Sequence, residues 1–464
     1  MRRTPRPYGG ELSTAMRTFP NPSFTGDSAD ISRLVAEVRC GEVPPYTPSP
    51  SRANRALADL LTRDPGRLDP AAPDSVFATG PRPETGQPVP FLPRERLLTR
   101  DEQRTAAECF ARVLAGGELT SGPAVTEFED ALADFLGVPH VVGTGSGTDA
   151  LVVALEAVGV GHGDEVIMPA NSFAATENAV WARGATPVLV DVDPDRHTLD
   201  PALVEAAVGP RTRAILPVHL YGRLADVPAL VQVARRHGLR VVEDACQAIG
   251  VTGVGKYTDA AVLSFNPYKN FGLTGKAGAV VTRDDELAAR ARRFSYHGFD
   301  PKRKNVKEGG YGLNARMDNS TAAVGLGLLP RLTLRNYRRA FLARRYLDGC
   351  AELAANGSVL LPAFEPDHAW HLFGVRVTAG RAARDSIRAH MRSTGRVETD
   401  IYYPVLTHRQ QTPLHRELFG QVVLPRTEHL HETVLHLPLH NDLSLAEQDR
   451  VIEALHAAVR ATVR

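Results

Sequence analysis

Short runs of β-branched residues alternate with amphipathic helical stretches between about residues 90 and 330 of this chain. The runs predict strands at 140–143, 165–169, 186–191, 213–219, 240–243, 260–265 and 277–282. Helical periodicity between them predicts helices that include 148–158, 172–183 and 227–237. Strands that alternate with helices form βαβ units, whose strands lie parallel in one sheet. We therefore expect an α/β fold class, with a large domain over residues 90–330 built on a mostly parallel sheet.

The regions on either side of this pattern differ from it. Residues 331–464 contain a long helical pattern beginning near 328 and ending at 354, then a strand (371–377), a helix (383–394) and a final helix from 444. They predict a smaller C-terminal α+β domain. Residues 1–89 are rich in proline and arginine, with one clear helical stretch at 28–39. We interpret this extension as a partly ordered arm on the main body rather than as a separate functional domain.

Charge and cysteine content exclude several classes of protein. Lysine and arginine number 54 against 53 acidic residues, so no overall field favours nucleic acid or an anionic membrane. The four cysteines are scattered without ligand-like spacing, which indicates reduced thiols and no metal site. No apolar run is long enough to span a bilayer, and no apolar stretch follows the basic N-terminus. We expect a cytoplasmic protein whose partners are small molecules or copies of itself.

A glycine-rich turn, 143–148 (GTGSGT), follows one predicted strand and opens a predicted helix. The N–H groups and the positive end of such a helix bind anions. The glycine spacing is not that of a dinucleotide site, and no well-placed acid follows about 20 residues on, so we favour a monophosphate. A merely tight turn is the alternative interpretation of the glycines alone. Ser264 would add a hydroxyl at the same edge of the sheet.

Asp244 and Lys269 each follow a predicted strand. Such a pair suits pyridoxal phosphate, because the lysine forms a Schiff base and the carboxylate keeps the pyridine nitrogen protonated. Taken alone, Asp244 is equally well interpreted as a helix cap or a surface residue. Gln247 would hydrogen-bond the ring hydroxyl, and Phe173 would stack on the ring face, although phenylalanine in this setting is usually part of the core.

Several segments together carry a family resemblance. They are 145–151 (GSGTDAL), 163–169 (GDEVIMP), 218–222 (VHLYG), 243–248 (EDACQA) and 264–270 (SFNPYKN). In order and spacing, this set resembles the DegT/DnrJ/StrS-type aminotransferases, from about Pro90 to the C-terminus. These are pyridoxal-phosphate enzymes of the aspartate-aminotransferase fold (fold type I) that aminate keto-sugars, usually nucleotide-linked, or keto-cyclitols. The resemblance implies L-glutamate or L-glutamine as amino donor, in secondary-metabolite (including antibiotic) or surface-sugar biosynthesis.

The resemblance also implies roles for single residues. Lys269 would bind the cofactor covalently and move the proton, and Asp244 would pair with the pyridine nitrogen. The other cofactor contacts would be Gly147, Thr148 and Ser264 at the phosphate, Gln247 near the ring oxygen and Phe173 on the ring face. Asn314 matches an asparagine that reaches the phosphate of the neighbouring subunit's cofactor, so a homodimer with shared active sites is implied.

Two departures from the family pattern and one basic loop concern the acceptor. Gly275-Lys276-Ala277-Gly278 replaces an acid by a base where the family reads Gly-Asp/Glu-Gly-Gly, and Tyr402 stands where many members carry a histidine. Lys276 would suit a more anionic substrate, or simply fill space differently. The basic loop 302–307 would grip a diphosphate or carboxylate, although such a run is more often a solvated loop.

Other functions stay open on the same residues. A dehydratase related to this family carries a histidine in place of the lysine, which Lys269 argues against. Another pyridoxal-phosphate reaction, such as an elimination or the amination of a cyclic keto acid, is the main alternative, because one fold serves many chemistries. A non-catalytic regulator on the same scaffold would have no physical need for Lys269, Asp244 and the phosphate turn.

Overall fold

The computed structural model describes residues 87–300, 303, 305–308, 310–365 and 368–462. The predicted arm over residues 1–89, with its helix at 28–39, lies outside the described residues except for its last three positions. Lys302 and Lys304 of the basic loop also lie outside them. Among the described helices, none combines the length and the apolar character needed to cross a bilayer.

A seven-stranded sheet forms the centre of the N-terminal two thirds of the described chain. Its strands are β1 (His140–Thr144), β2 (Glu165–Pro169), β3 (Thr186–Val190), β4 (Thr212–Ile215), β5 (Arg240–Asp244), β6 (Ala260–Ser264) and β7 (Gly278–Thr282). They lie in the order β1-β7-β6-β5-β4-β2-β3. All neighbouring strands are parallel except β7, which runs antiparallel to both β1 and β6. The expected mostly parallel sheet is confirmed, with β7 as its exception.

Helices cover both faces of this sheet. They are α1 (Arg100–Gly116), α2 (Pro123–Leu136), α3 (Gly147–Ala157), α4 (Ala174–Ala182), α5 (Pro201–Ala206), α6 (Val227–His237), α7 (Asp285–Ser295) and α8 (Asn319–Leu328). Side chains of one strand alternate between the two faces. In β6, for example, Ala261 and Leu263 pack into the core with α2, whereas Ala260 and Val262 pack into the core with α3. The sheet is therefore buried on both sides, as parallel sheets usually are.

The C-terminal part of the chain builds a second, smaller sheet. Its elements are α9 (Leu332–Gly349), α10 (Ala351–Ala355), β8 (Val359–Leu360), β9 (Phe373–Val377), α11 (Gly380–Ser393), α12 (Pro413–Phe419), α13 (Pro425–Thr433), β10 (Val434–Leu437) and α14 (Leu445–Thr462). The strands are antiparallel in the order β10-β9-β8 and share a hydrophobic core with α9, α11 and α14. A division of the chain near residue 330 stays a proposal that this arrangement supports.

Two of the differences between predicted and observed elements come from prolines. The long helical pattern at 328–354 is interrupted by the short 3₁₀ helix Leu329–Arg331, because Pro330 cannot continue an α-helical hydrogen-bond ladder. The predicted strand 213–219 ends at Ile215, since Pro217 has no N–H to donate to a neighbouring strand.

The described chain begins with a segment, 87–96, that contacts the C-terminal part of the chain at both of its ends. Val89 donates its N–H to Arg396 O at 2.8 Å and accepts from Glu398 N at 2.9 Å. At the other end of the segment, the buried Arg96 guanidinium lies 3.0 Å from carboxylates of both Asp442 and Glu447. The segment is therefore held in place by backbone hydrogen bonds at one end and by ion pairs at the other.

Candidate active site

The predicted site residues meet at one cavity of about 570 Å³ at the carboxyl ends of β5 and β6. Every predicted cofactor contact except Asn314 lines it: Gly147, Thr148, Phe173, Asp244, Gln247, Ser264 and Lys269. Open α/β sheets place ligands at this edge because the loops that follow the strands converge there. Residues spread over more than 120 positions of sequence are thus brought together by the sheet.

Lys269 lies in the turn after β6, where its N–H donates to Asn266 O at 2.8 Å. Burial disfavours the charged ammonium and lowers the pKa of Lys269 below its ordinary value, while the negative charge of Asp244 acts in the opposite direction. A larger fraction of this amine is therefore unprotonated near neutral pH than of an exposed lysine. An unprotonated amine is the form that attacks a carbonyl carbon.

Asp244 ends β5 and is buried, with 6% of its surface exposed. One carboxylate oxygen accepts a hydrogen bond from Thr176 Oγ1 at 2.8 Å, and the other accepts from the N–H of Cys246 at 3.2 Å. These contacts orient the carboxylate at the cavity wall. Thr176, in the first turn of α4, was not among the sequence predictions, because a helical threonine next to no motif gives no signal of this contact.

The amino end of α3 forms a pocket suited to a phosphate. The hydroxyl of Ser146 caps the helix by accepting from Asp149 N at 3.0 Å, so the N–H groups of Gly147 and Thr148 are left for a ligand. Gly147 packs so tightly that a Cβ placed there would lie 2.8 Å from Ser264 Cβ and 3.2 Å from Cys246 Sγ. A glycine is therefore required for the helix to reach the strand end that carries Ser264.

Gln247 is held at the cavity wall by two tyrosines. Its Oε1 accepts from the N–H of Tyr221 at 2.7 Å, and its Nε2 donates to the hydroxyl of Tyr403 at 2.9 Å. The predicted contact between Gln247 and the cofactor ring oxygen stays a prediction. Tyr403 itself was missed by sequence reasoning, which singled out its neighbour Tyr402.

Aromatic rings form one side of the cavity. Phe173 lies 5.8 Å from Tyr403 between ring centroids, Tyr403 lies 5.3 Å from Tyr402, and Tyr402 lies 5.8 Å from Phe91. Phe173 is 58% exposed, so a face of its ring is free to stack on a planar ligand. Phe91 belongs to segment 87–96, whose composition gave no sign that it would reach the site.

The charges around the cavity are unequal. Of the described side chains that line it, Asp244 is the one carboxylate, whereas Lys269, Lys276 and Arg339 are basic. Buried Arg339 is engaged with the backbone carbonyls of Trp370, His371 and Leu439. Lys276 is exposed and makes no ion pair with a described acid. The cavity therefore favours ligands that carry negative charge.

Asn314 lies outside the cavity of its own chain. It is exposed, and its segment pairs with Tyr296 and runs beside the phosphate turn, where Gly145 N donates to Ala315 O at 2.9 Å. An exposed position next to this turn is compatible with a contact to another subunit, which stays a proposal.

These residues fit pyridoxal phosphate. Lys269 supplies the amine for the covalent bond, Asp244 a buried carboxylate for the pyridine nitrogen, and Phe173 a ring face. The N–H groups at the start of α3, together with Ser264, suit its phosphate. The described part of the chain holds no cluster of three or more histidine, cysteine or acidic side chains arranged to bind a metal ion.

Comparison with known proteins agrees with this geometry. The chain is 48% identical to the 3-oxo-glucose-6-phosphate:glutamate aminotransferase of Bacillus subtilis (strain 168), over 81% of this chain and 85% of that protein. It is 42% identical to the dTDP-3-amino-3,4,6-trideoxy-alpha-D-glucose transaminase of Streptomyces venezuelae, over 79% of this chain and 95% of that protein.

Solved structures match the fold over 80% or more of this chain. The crystal structure of NtdA from Bacillus subtilis with bound cofactor PMP is 42% identical, with a TM-score of 0.83, and covers 94% of this chain and 99% of that chain. DesV of Streptomyces venezuelae is 40% identical, with a TM-score of 0.74, and covers 80% and 99%. The fold is therefore that of pyridoxal-phosphate enzymes of fold type I.

A model of the DegT/DnrJ/EryC1/StrS aminotransferase family matches residues 100–456. The match includes Lys269, Asp244 and the phosphate turn, and leaves out segment 87–96, which supplies Phe91 to the cavity wall. Pyridoxal phosphate is accordingly the cofactor, and the chain is an aminotransferase that belongs to the DegT/DnrJ/EryC1/StrS family.

Proposed function

We propose that this aminotransferase transfers the amino group of L-glutamate, or of L-glutamine, to a phosphorylated keto-sugar in amino-sugar biosynthesis. The observation that carries the proposal is the convergence of Lys269, Asp244 and the amino end of α3 on one cationic cavity. The 48% identical relative, named for 3-oxo-glucose 6-phosphate and glutamate, supports a sugar phosphate as the acceptor. The 42% identical relative, named for a dTDP-sugar, supports a nucleotide-linked keto-sugar as the second candidate.

Lys269 would serve as the base and acid of the reaction. Bound pyridoxal phosphate supplies an electron sink that makes the α-proton of the amino donor acidic. The Lys269 amine, whose pKa is lowered by burial, would take that proton from the donor carbon. In the second half-reaction the same amine would deliver a proton to the sugar carbon that receives nitrogen. The donor leaves as its 2-oxo acid, and the sugar carbonyl oxygen leaves as water.

Asp244 would hold the protonated ring nitrogen of the cofactor. A buried carboxylate beside this nitrogen stabilises its positive charge, which the electron sink requires. Thr176 and the N–H of Cys246 would keep the carboxylate aimed at the ring. The rings of Phe173 and Tyr403 would exclude water from one side of the reacting atoms.

Lys276 would contact the anionic group of the acceptor. Its ammonium lines the cavity and has no ion pair with a described acid, so it is available to a phosphate. This proposed role gives a physical reason for a base at the position where relatives of the family carry an acid.

The visible absorbance of the purified holoenzyme tests the function. L-Glutamate or L-glutamine should bleach the band of the bound cofactor in the wild type, and a phosphorylated keto-sugar should restore it with formation of an amino sugar. Lys269→Ala should bind cofactor without a covalent bond and fail in both half-reactions. Release of ammonia without amino transfer would favour an elimination instead, and near-normal turnover by Lys269→Ala would refute the assignment of the base.

A further inference from the structure

The imidazole of His371 lines the active-site cavity although the residue is 8% exposed. The sequence pattern predicts a strand that begins at His371, but β9 begins two residues later, at Phe373. His371 therefore belongs to a connecting segment that enters the site from the side of the smaller sheet.

The backbone around His371 is held in place by the segment 221–222. Ala369 N donates to Gly222 O at 2.7 Å, and Leu372 N donates to Tyr221 O at 3.1 Å. Both Tyr221 (φ 61°) and Trp370 (φ 50°) adopt the left-handed conformation that large side chains rarely occupy. Such conformations persist where the surrounding contacts fix them, and they concentrate at functional sites. The position of His371 is thus fixed by contacts on both sides.

A chain of hydrogen bonds fixes which nitrogen of His371 carries the proton. Asn336 donates its Nδ2 to the carbonyl of Ile249 at 2.9 Å, so its Oδ1 accepts from Asn270 Nδ2 at 3.0 Å. Asn270 Nδ2 also donates to the carbonyl of Ala369 at 2.8 Å. Since backbone carbonyls only accept, both amide orientations are determined.

The remaining atom in this series of hydrogen bonds is Asn270 Oδ1, which lies 3.1 Å from His371 Nδ1. An amide oxygen accepts, so Nδ1 carries the proton and Nε2 keeps a lone pair. Burial, followed by the positive charges of Lys269 and Arg339, holds the pKa of His371 well below its ordinary value. The ring is therefore neutral, with Nε2 as its hydrogen-bond acceptor.

No described residue donates a hydrogen bond to His371 Nε2, so this nitrogen is available to a hydrogen-bond donor in the cavity. Asn270 follows Lys269 directly in sequence. The hydrogen bond to Asn270 therefore holds His371 near the lysine that would exchange a proton with the reacting carbon. The carboxylates of glutamate and the phosphate of the cofactor are acceptors and cannot fill this role. A sugar, by contrast, carries hydroxyl groups on the carbons beside its carbonyl.

We propose that His371 Nε2 accepts a hydrogen bond from a hydroxyl that flanks the carbonyl carbon of the acceptor sugar. His371 is then a specificity residue for a hydroxylated acceptor, an assignment that rests on the proposed function. Neither L-glutamate nor L-glutamine carries a hydroxyl, so this hydroxyl contact would belong to the sugar half-reaction alone.

The test uses the reverse half-reaction of the holoenzyme. The probe is a 3-amino-3-deoxyhexose 6-phosphate, compared with analogues that lack the 2-hydroxyl or the 4-hydroxyl. In the wild type, loss of the contacted hydroxyl should lower kcat/KM about tenfold or more, because a buried acceptor is left without a partner. His371→Phe should lower kcat/KM for the full probe by a similar factor and should no longer distinguish it from that analogue.

Three measurements separate a contact from a structural effect. His371→Phe should lower the rate of the amino-sugar half-reaction at least about tenfold more than the rate of the glutamate half-reaction, and His371→Gln, whose amide oxygen can accept, should restore part of the preference. In a Lys269→Ala background, where no turnover occurs, the dissociation constant of the probe measured by calorimetry should rise with His371→Phe.

Contrary results are equally clear. If the wild type processes both analogues as well as the full probe, the assignment of His371 is wrong, while a normal glutamate half-reaction leaves the aminotransferase function intact. An equal loss of both half-reactions in His371→Phe would also refute the assignment, because it would place His371 with Lys269 rather than with the sugar. If the wild type discharges with glutamate but with no amino sugar phosphate, the proposed acceptor fails and this inference fails with it.

Discussion

At the scale of single residues, Asp244 allows a sharp test because Asn keeps its shape and removes its charge. Asp244→Asn should still bind pyridoxal phosphate but lose about 10²- to 10³-fold in kcat, the usual effect of removing one electrostatic stabiliser of a reaction. Thr176→Val removes one hydrogen bond to the carboxylate but leaves its charge in place, so we expect a smaller loss than for Asp244→Asn. Steady-state kinetics would contradict this role if Asp244→Asn kept wild-type turnover.

The pKa of Lys269 gives a second prediction at this scale. The amine binds the cofactor only when unprotonated, so the rate at which apoenzyme recombines with pyridoxal phosphate should rise with pH and level off below 10.5, the ordinary lysine value. The negative charge of Asp244 raises the pKa of Lys269. Asp244→Asn should therefore move this pH profile to lower pH. A profile that stays in place, or moves upward, would show that the two groups are not coupled.

At the scale of secondary structure elements, the amino end of α3 depends on Gly147. Gly147→Ala puts a Cβ 2.8 Å from Ser264 Cβ, so the helix and β6 must move apart where the phosphate would bind. We expect the dissociation constant of pyridoxal phosphate to rise at least about tenfold, and the free energy of unfolding of the apoprotein to fall by about 1–3 kcal/mol. The matched control is Gly161→Ala, because no atom lies within 4 Å of a Cβ at Gly161. Equal cofactor affinity in the two variants would contradict the packing argument.

Elements with strong local signals were predictable from the sequence. Strand β2 and helix α6 have the predicted bounds, since β-branched runs and 3.6-residue periodicity are local properties. The antiparallel direction of β7 was not predicted, because a strand's side-chain pattern carries no information about its direction. The two-residue strand β8 is too short for any pattern. The sequence therefore predicts where strands and helices lie better than it predicts which strands pair and in which direction.

At the scale of the whole molecule, the cavity combines parts that the sequence could predict with parts that it could not. Motif residues such as Lys269 and Ser264 were found because their chemistry and spacing are specific. Phe91 and His371 come from segments 87–96 and 368–372, which reach the cavity through tertiary contacts with residues 396–398 and 221–222. Such contacts produce no periodic pattern in the sequence. The cofactor side of the site was therefore predictable, and much of the acceptor side was not.

The proposed homodimer leads to a prediction about the assembly as a whole. If Asn314 contacts the cofactor phosphate of the neighbouring subunit, Asn314→Ala damages the partner's site, whereas Lys269→Ala destroys the site of its own chain. A hybrid dimer of the two variants then has one intact site, with Lys269 from one chain and Asn314 from the other. Both variants are assayed at a cofactor concentration at which most sites of Asn314→Ala hold no pyridoxal phosphate. Under this condition each variant alone should be nearly inactive.

Unfolding and refolding the two variants together should then restore activity. An equal mixture should reach about a quarter of wild-type activity, because random pairing makes half of the dimers hybrids and each hybrid has one working site of two. The control is a mixture of Lys269→Ala with Asp244→Asn, whose lesions both lie in the cavity of their own chain, so that hybrids contain no intact site. If the Asn314→Ala mixture gives no more than the average of its components, Asn314 acts within its own chain or not at all. Recovery near a quarter, together with none in the control, would establish that each active site is shared between two subunits.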